Sequence, residues 1–220
     1  MGHQPHLFLP PPWSSPQLPL EAHQEHHLFR VTRLAPGDTV TYTDGCGCFG
    51  HGRLAPGHIE RGEERLVDPP PLHLTIAVAP PRDRDRLRFL VEKLAELEVA
   101  ELLWLRTRFT QTAPPPAEKS RAWALGALEQ SRGAHQMAIG RQVVTVEDLT
   151  PPVLAADPGG GGWPSPLPPT LTIAIGPEGG WAGEDLPSGI EKVSVGRTVL
   201  RVETAAIVAA AQVFSQLGNP

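Results

Sequence analysis

Apolar positions change period along the chain, and the change marks a boundary. Within residues 1–70 they fall in short alternating runs, at His6–Leu9, Thr39–Thr43 and Glu64–Val67, the two-residue period of half-buried strands. Pro36-Gly37-Asp38 and Asp44-Gly45 are turn signals, and Pro10 to Pro19 reads as a proline-rich loop. Closely punctuated short strands predict a small antiparallel barrel. Asp68-Pro69-Pro70-Pro71 then forms a stiff linker, dividing a domain over residues 1–70 from a second over 71–220.

Beyond the linker, strand-like runs alternate with helical ones, which predicts an α/β domain with a largely parallel sheet. Leu72–Val78 reads as a strand. Asp83 is placed to cap a helix burying Leu87, Leu90, Val91, Leu94 and Leu97, and Leu102–Leu105 is the next strand. A helix follows Pro114–Pro116, with Trp123 expected in the core rather than as a base-stacking platform. Gln142–Val146 is expected to be a strand and Pro158–Pro169 a mobile insert or lid. Leu171–Ile175 and Val193–Val195 are two further strands, each ending at glycine. The last helix starts near Thr204, with Ile207, Ala210, Ala211, Phe214 and Leu217 on one stripe and Gly218 as its stop.

Composition adds three points. The chain has 220 residues, enough for two modest domains, and two cysteines, Cys46 and Cys48, which at that spacing read as incidental. No apolar run nears the roughly 20 residues needed to cross a bilayer, so the expected location is the cytoplasm, with no membrane partner. Net charge is −5, against indiscriminate coating of nucleic acid, yet residues 82–141 carry 11 Lys and Arg against 8 Asp and Glu. An RNA surface would centre there. Paired histidines, His26 and His27, are weak metal ligands by themselves, and no metal site is expected.

The densest chemistry lies in Gly176-Pro177-Glu178-Gly179-Gly180 and in the loop opened by Val195-Gly196. Glycines around one carboxylate allow close approach of a ligand to the main chain, while Pro177 limits relaxation. Neither a Walker lysine nor a dinucleotide glycine pattern follows, so phosphate cradling is disfavoured, and a tight turn is the plain alternative. Two such loops at strand ends suggest two walls of a pocket at the carboxyl edge of a sheet, suited to an adenosine moiety held by backbone groups.

I-G-P-E-G-G-W (Ile175–Trp181) together with V-G-R-T-V-L-R-V-E-T-A-A (Val195–Ala206) closely resembles the RsmE family of 16S ribosomal RNA uridine-N3 methyltransferases, of the knotted SPOUT superfamily. Glu25–Asp38 is similar to that family's N-terminal signature, with Thr32 in place of leucine, and Phe89–Ala100 to its V-Q-K-x-x-E-L-G-V segment, with Glu98 in place of glycine. A-L-E-Q-S-R-G resembles A-x-E-Q-S-G-R with Arg132 and Gly133 exchanged. The resemblance implies a PUA-like RNA-binding barrel before a SPOUT α/β domain with a C-terminal trefoil knot, S-adenosylmethionine as cofactor, a homodimer, and 16S rRNA or the small ribosomal subunit as partner. It assigns Ile175, Gly176, Pro177, Gly179, Gly180, Val195, Gly196, Leu200 and Arg201 to the cofactor pocket.

Arg201 is the first choice to stabilise charge on the target base, and Glu178 to position substrate or accept a proton, the plain alternative for Glu178 being loop shaping. RNA-contact candidates are Arg30 and Arg33, three apart on a helical face, Arg86 and Lys93 along the second domain's first helix, Arg106 and Arg108 after a strand, and Arg132. Solvated edges and ion pairs with nearby acids are the alternatives. Two other functions stay open: the same chemistry on another rRNA or tRNA atom, and a non-catalytic RNA-binding assembly factor.

Overall fold

A computed structural model describes residues 4–217, so Gly218, the expected helix stop, lies outside the described residues. The chain divides into two compact units, one of Met1–Pro69 with Leu128–Gln136, the other of Pro70–Ala127 with Met137–Pro220.

The first unit is a curled mixed sheet, a half-barrel of the PUA-like kind. Its strands are β1 (His6–Phe8), β2 (Gln17–Pro19), β3 (Thr39–Thr43), β4 (Cys48–Ala55) and β5 (His58–Leu66), in the order β1-β3-β4-β5-β2. An all-antiparallel barrel was the expectation; instead β1 runs parallel to β3, and only the other ladders are antiparallel. β4 escapes the sequence pattern because Gly50 and Gly52 interrupt its alternation. Packing explains them: a Cβ at Gly50 would run into the Tyr42 ring, and one at Gly52 would lie 2.5 Å from Ile59 Cγ2 and 2.6 Å from the Glu60 carbonyl oxygen. Leu7, Leu18, Val40, Tyr42, Leu54 and Ile59 fill the core.

The segment from Leu128 completes this unit with backbone and side-chain oxygens. His6, buried, holds Thr41 Oγ1 at 2.9 Å and the Gly133 carbonyl at 3.1 Å. Thr43 Oγ1 donates to the Ala134 carbonyl at 3.2 Å, and Glu129 accepts the Phe8 amide at 2.9 Å. Burial holds the His6 pKa below its ordinary value and pushes that of Glu129 up. Helix α1 (Ala22–His26) continues into a π-helical turn over His27–Val31. Arg30 sits on that turn, but Arg33 has left it at φ 58°, so the expected shared helical face does not form.

In the second unit six strands make one wholly parallel sheet, β11-β9-β10-β6-β7-β8, flanked by helices, the predicted α/β class and SPOUT-like architecture. The strands are β6 (His73–Val78), β7 (Glu101–Leu105), β8 (Ala138–Val144), β9 (Val153–Gly161), β10 (Thr170–Ile175) and β11 (Glu191–Val193). Central β6 and β10 are buried beyond their first residues, which is why they read as continuous apolar runs. Helix α2 (Arg84–Glu96) is capped by Asp83, whose Oδ1 accepts the Asp85 and Arg86 amides at 2.9 and 3.0 Å. Helix α3 (Ala117–Ser131) holds Trp123 against the core, with Lys119 Nζ over its ring at 5.3 Å. Helix α4 (Val202–Gln216) packs on α2, β6 and β10.

Four expectations are corrected here. β8 lies over 138–144, not 142–146, and β11 over 191–193, not 193–195. Pro158–Gly161, expected to begin a mobile insert, instead ends β9, and glycine is required there because a Cβ on Gly160 would lie 2.5 Å from the Val193 backbone. The stripe α4 buries is Val202, Ala205, Ala206, Ala209, Ala210 and Val213, while Ala211 is exposed. An alanine-rich helix is weakly amphipathic, so small residues on both faces blur the choice of stripe.

Among the described residues no helix is long and apolar enough to cross a membrane.

Candidate active site

β10 and β11 flank β9 and, all three being parallel, end at the same edge of the sheet. Each strand gives way to irregular backbone there, and a cavity of about 160 Å³ opens between the two loops. Ile175, Gly176, Pro177, Glu178 and Gly180 form one wall, Val195, Gly196 and Leu200 another, and the first turn of α4 closes it with Val202 and Ala205. Of the pocket residues named from the sequence, Gly179 and Arg201 do not line the cavity, although Arg201 lies between two residues that do. Arg201 is the exposed N-cap of α4, and Glu178 is exposed on its loop.

β9 supplies a third wall, Ala156, Asp157 and Pro158, which the sequence reading missed. The apolar Val153–Ala156 between Pro152 and Asp157 was the available signal. Asp157 Oδ1 accepts the Gly159 amide at 2.8 Å and Oδ2 accepts Lys192 Nζ at 3.0 Å. Those two donors hold its carboxyl below the usual range, so it is an anion on the cavity wall.

Trp181 pins the loop from the other side. Its indole covers Gly176, where a Cβ would come within 2.9 Å of the ring, and its Nε1 donates to the Ala156 carbonyl at 2.9 Å. The loop is therefore tied to β9, and a side chain at Gly176 would force the indole away. Such a backbone-walled, partly apolar cavity, with the Lys192-paired Asp157 carboxylate on one wall and Glu178 on another, is suited to a flat heterocycle such as adenosine.

The basic candidates occupy different surroundings. Arg86 Nε lies 3.6 Å from Glu203 Oε1, and Glu203 is buried on α4 with its other oxygen unpartnered. Lys93 Nζ bonds Glu96 at 2.6 Å. Both are thus engaged in the ion pairs foreseen as their plain alternative. Arg106 and Arg108 are exposed just after β7, and the Arg108 amide donates to Asp185 Oδ1 at 2.7 Å. Arg132 belongs to the first unit, at φ 59°, and its guanidinium donates to the Gln4 carbonyl at 2.7 Å. The exchange with Gly133 has a local reason: a Cβ at 133 would meet Leu128 Cδ1 at 2.7 Å, so glycine occupies the crowded position while arginine takes the left-handed one.

A family described as "RNA methyltransferase domain" matches residues 68–214. Ribosomal RNA small subunit methyltransferase E of Synechocystis is 30% identical over 224 residues, covering 88% of this chain and 71% of its own length. Among solved structures, a probable rRNA-methyltransferase of Porphyromonas gingivalis superposes with a TM-score of 0.83 at 27% identity, over 96% of this chain and 98% of its own. Ribosomal RNA small subunit methyltransferase E of Neisseria gonorrhoeae, solved with S-adenosylmethionine bound, has the same fold, with a TM-score of 0.84 at 22% identity over 97% of this chain and 98% of its own. With the family matched from the linker to the last helix, and a relative aligned over most of both chains, this protein belongs to the RNA methyltransferase family, in its small-subunit rRNA methyltransferase E branch.

Proposed function

We propose that the protein methylates N3 of a uridine in 16S ribosomal RNA, using S-adenosylmethionine held between the loops that follow β10 and β11. The observation that carries this reading is the cavity itself: glycine backbone, Leu200 and the start of α4 around a fixed Asp157 carboxylate. When bound there, S-adenosylmethionine supplies an electrophilic methyl group on a sulfonium.

The chain's own residues then have three tasks. The loop backbone from Gly176 to Gly180, with Val195 and Gly196, would hold the adenosine portion, and Asp157, kept in place by Lys192, would stand on the third wall beside it. Uridine N3 carries a proton on the Watson–Crick edge, so the base must be unpaired or extruded, and the proton must leave at or before attack. Arg201, exposed at the α4 N-terminus, stabilises the growing negative charge on the uracil, and Glu178 positions the base or accepts that proton.

The same reading makes residues 1–70 a PUA-like RNA-binding domain and 71–220 the methyltransferase domain, with the cofactor loops belonging to a C-terminal trefoil knot. Arg30, Arg33, Arg106, Arg108 and Arg132 present charge to RNA backbone, and Arg86 and Lys93 do so from within their ion pairs. Two copies pair through the knot region, and the protein works in the cytoplasm on the small subunit or its rRNA.

The test is calorimetric titration with S-adenosylmethionine beside methyl transfer to small subunits that lack the modification, with the modified nucleotide mapped. Saturable binding by the parent, abolished in the Gly180→Val/Gly196→Val variant, and label at uridine N3 are the expected results. No binding at millimolar cofactor, with or without RNA, would overturn the methyltransferase reading, and label at another atom would overturn the uridine assignment.

A further inference from the structure

Phe109 is an aromatic side chain left 43% exposed beside the candidate active site. It stands in the loop after β7, on the flank of Gly179, whose Cβ would lie 3.0 Å from that of Phe109. Gly176 and Gly180 of the same loop line the cavity, so Phe109 borders the wall of the cofactor pocket without entering it.

Two sets of bonds hold it there. Thr107 and Thr110 close the turn that carries it: the Thr107 amide donates to Thr110 Oγ1 at 3.0 Å, the two hydroxyls lie 2.9 Å apart, and the Thr110 amide donates to the Thr107 carbonyl at 3.2 Å. Asp185 fastens the turn to the segment after Trp181, with Oδ1 accepting the Arg108 amide at 2.7 Å and Oδ2 the Ala182 amide at 2.8 Å. Exposed apolar residues on flexible loops are unremarkable, but here a ring is presented on a braced turn. Arg106 and Arg108, both exposed, stand on the same loop.

A ring on a braced turn beside two exposed guanidinium groups, that of Arg108 in a loose 3.8 Å ion pair with Glu184, is what single-stranded nucleic acid recognition uses, the ring taking a base face and the cations the phosphates. Resting on the methyltransferase reading above, we propose that Phe109 is a positioning residue, the platform on which the unpaired target uracil, or the base next to it, stacks as it is brought to the cofactor loops. An extruded uracil has lost its stacking neighbours, and a pre-placed ring restores one face of that stack without fixing sequence. The methyl acceptor thereby approaches the pocket edge-on, with its N3 free.

The experiment compares the full-length parent with F109A, F109L, F109Y and F109W, measuring kcat/KM for methyl transfer to unmodified small subunits and, separately, affinity for S-adenosylmethionine. F109A and F109L should lose about 10- to 100-fold in kcat/KM, while F109Y and F109W keep most of it and cofactor affinity stays within twofold throughout. A 5-iodouridine placed at the target should photocrosslink to Phe109 in the parent. Activity of F109A within twofold of the parent, or leucine restoring activity as well as tyrosine, would overturn the stacking role. Loss of cofactor binding in F109A would show that the ring only supports Gly179, and would overturn it too. A parent that binds no S-adenosylmethionine brings down the underlying function, which the cofactor titration tells apart from failure of the platform.

Discussion

Glu203 is the residue whose surroundings say most about its work. A carboxylate at a helix N-terminus near a pocket invites the role of a general base, but here it is buried, faces Arg86 at 3.6 Å and leaves one oxygen without a partner. Removing the cation alone strands a buried charge. Arg86→Ala should therefore destabilise by about 1–3 kcal/mol in urea unfolding, because the carboxylate keeps its desolvation cost without its partner. The double variant Arg86→Ala/Glu203→Gln should recover part of the loss, since the neutral amide is cheaper to bury. His6 offers a second check, through pH. Burial depresses its pKa below 6.5, so its contribution is complete above that value. As pH falls below 6.5, the unfolded chain takes up a proton that the folded chain refuses, and stability declines until the folded imidazole also titrates. Glu129, raised, shifts stability in the opposite sense, from 4.5 upward. Comparing parent with His6→Gln isolates the histidine: urea midpoints at pH 7.5 and 5.5 should draw apart in the parent more than in the variant.

Among the elements, strands and helices with a strong period were legible and those built on glycine were not. α2 carries leucine and valine at helical spacing behind an Asp83 cap, and β6 and β10 are runs of β-branched and aliphatic residues, so pattern alone located them. β4 and β9 contain glycines that read as punctuation until Tyr42, Ile59 and the Val193 backbone are seen to fill the space a side chain would need. Two walls of the cavity are legible in GPEGG and VGR, whereas the Asp157 wall is easily passed over, because its short apolar run Val153–Ala156 leads straight into the Pro158–Gly162 stretch that reads as an insert. Helix ends tell a related story. Glu98 follows α2 at φ 58°, a conformation that costs an L-residue about 1 kcal/mol and glycine almost nothing. Glu98→Gly should raise stability by about 0.5–1 kcal/mol in chemical denaturation, leaving S-adenosylmethionine affinity unchanged.

For the whole molecule, charge is the property that local structure leaves open. The chain carries −5 overall, so its attraction to RNA rests on where the cations stand rather than on their number. Arg106 and Arg108 are exposed on the basic stretch, and reversing both to glutamate should weaken binding to 16S rRNA at all sequences. The slope of log affinity against log salt should shrink by about 1–2, with cofactor binding unaffected. Filter binding over a salt series measures it.

The first unit borrows Leu128–Gln136 from the middle of the chain, and that borrowing sets an order of events during synthesis. Residues 4–69 emerge first, yet the carbonyls of Gly133 and Ala134 that receive His6 and Thr43, and the Glu129 carboxylate for Phe8, are translated later. At the usual pace of elongation the delay is on the order of seconds. Throughout it the N-terminal strands lack their final partners, so a nascent chain stalled before Gln136 presents an unfinished half-barrel to chaperones and proteases, and a fragment cut at Pro69 never finishes it.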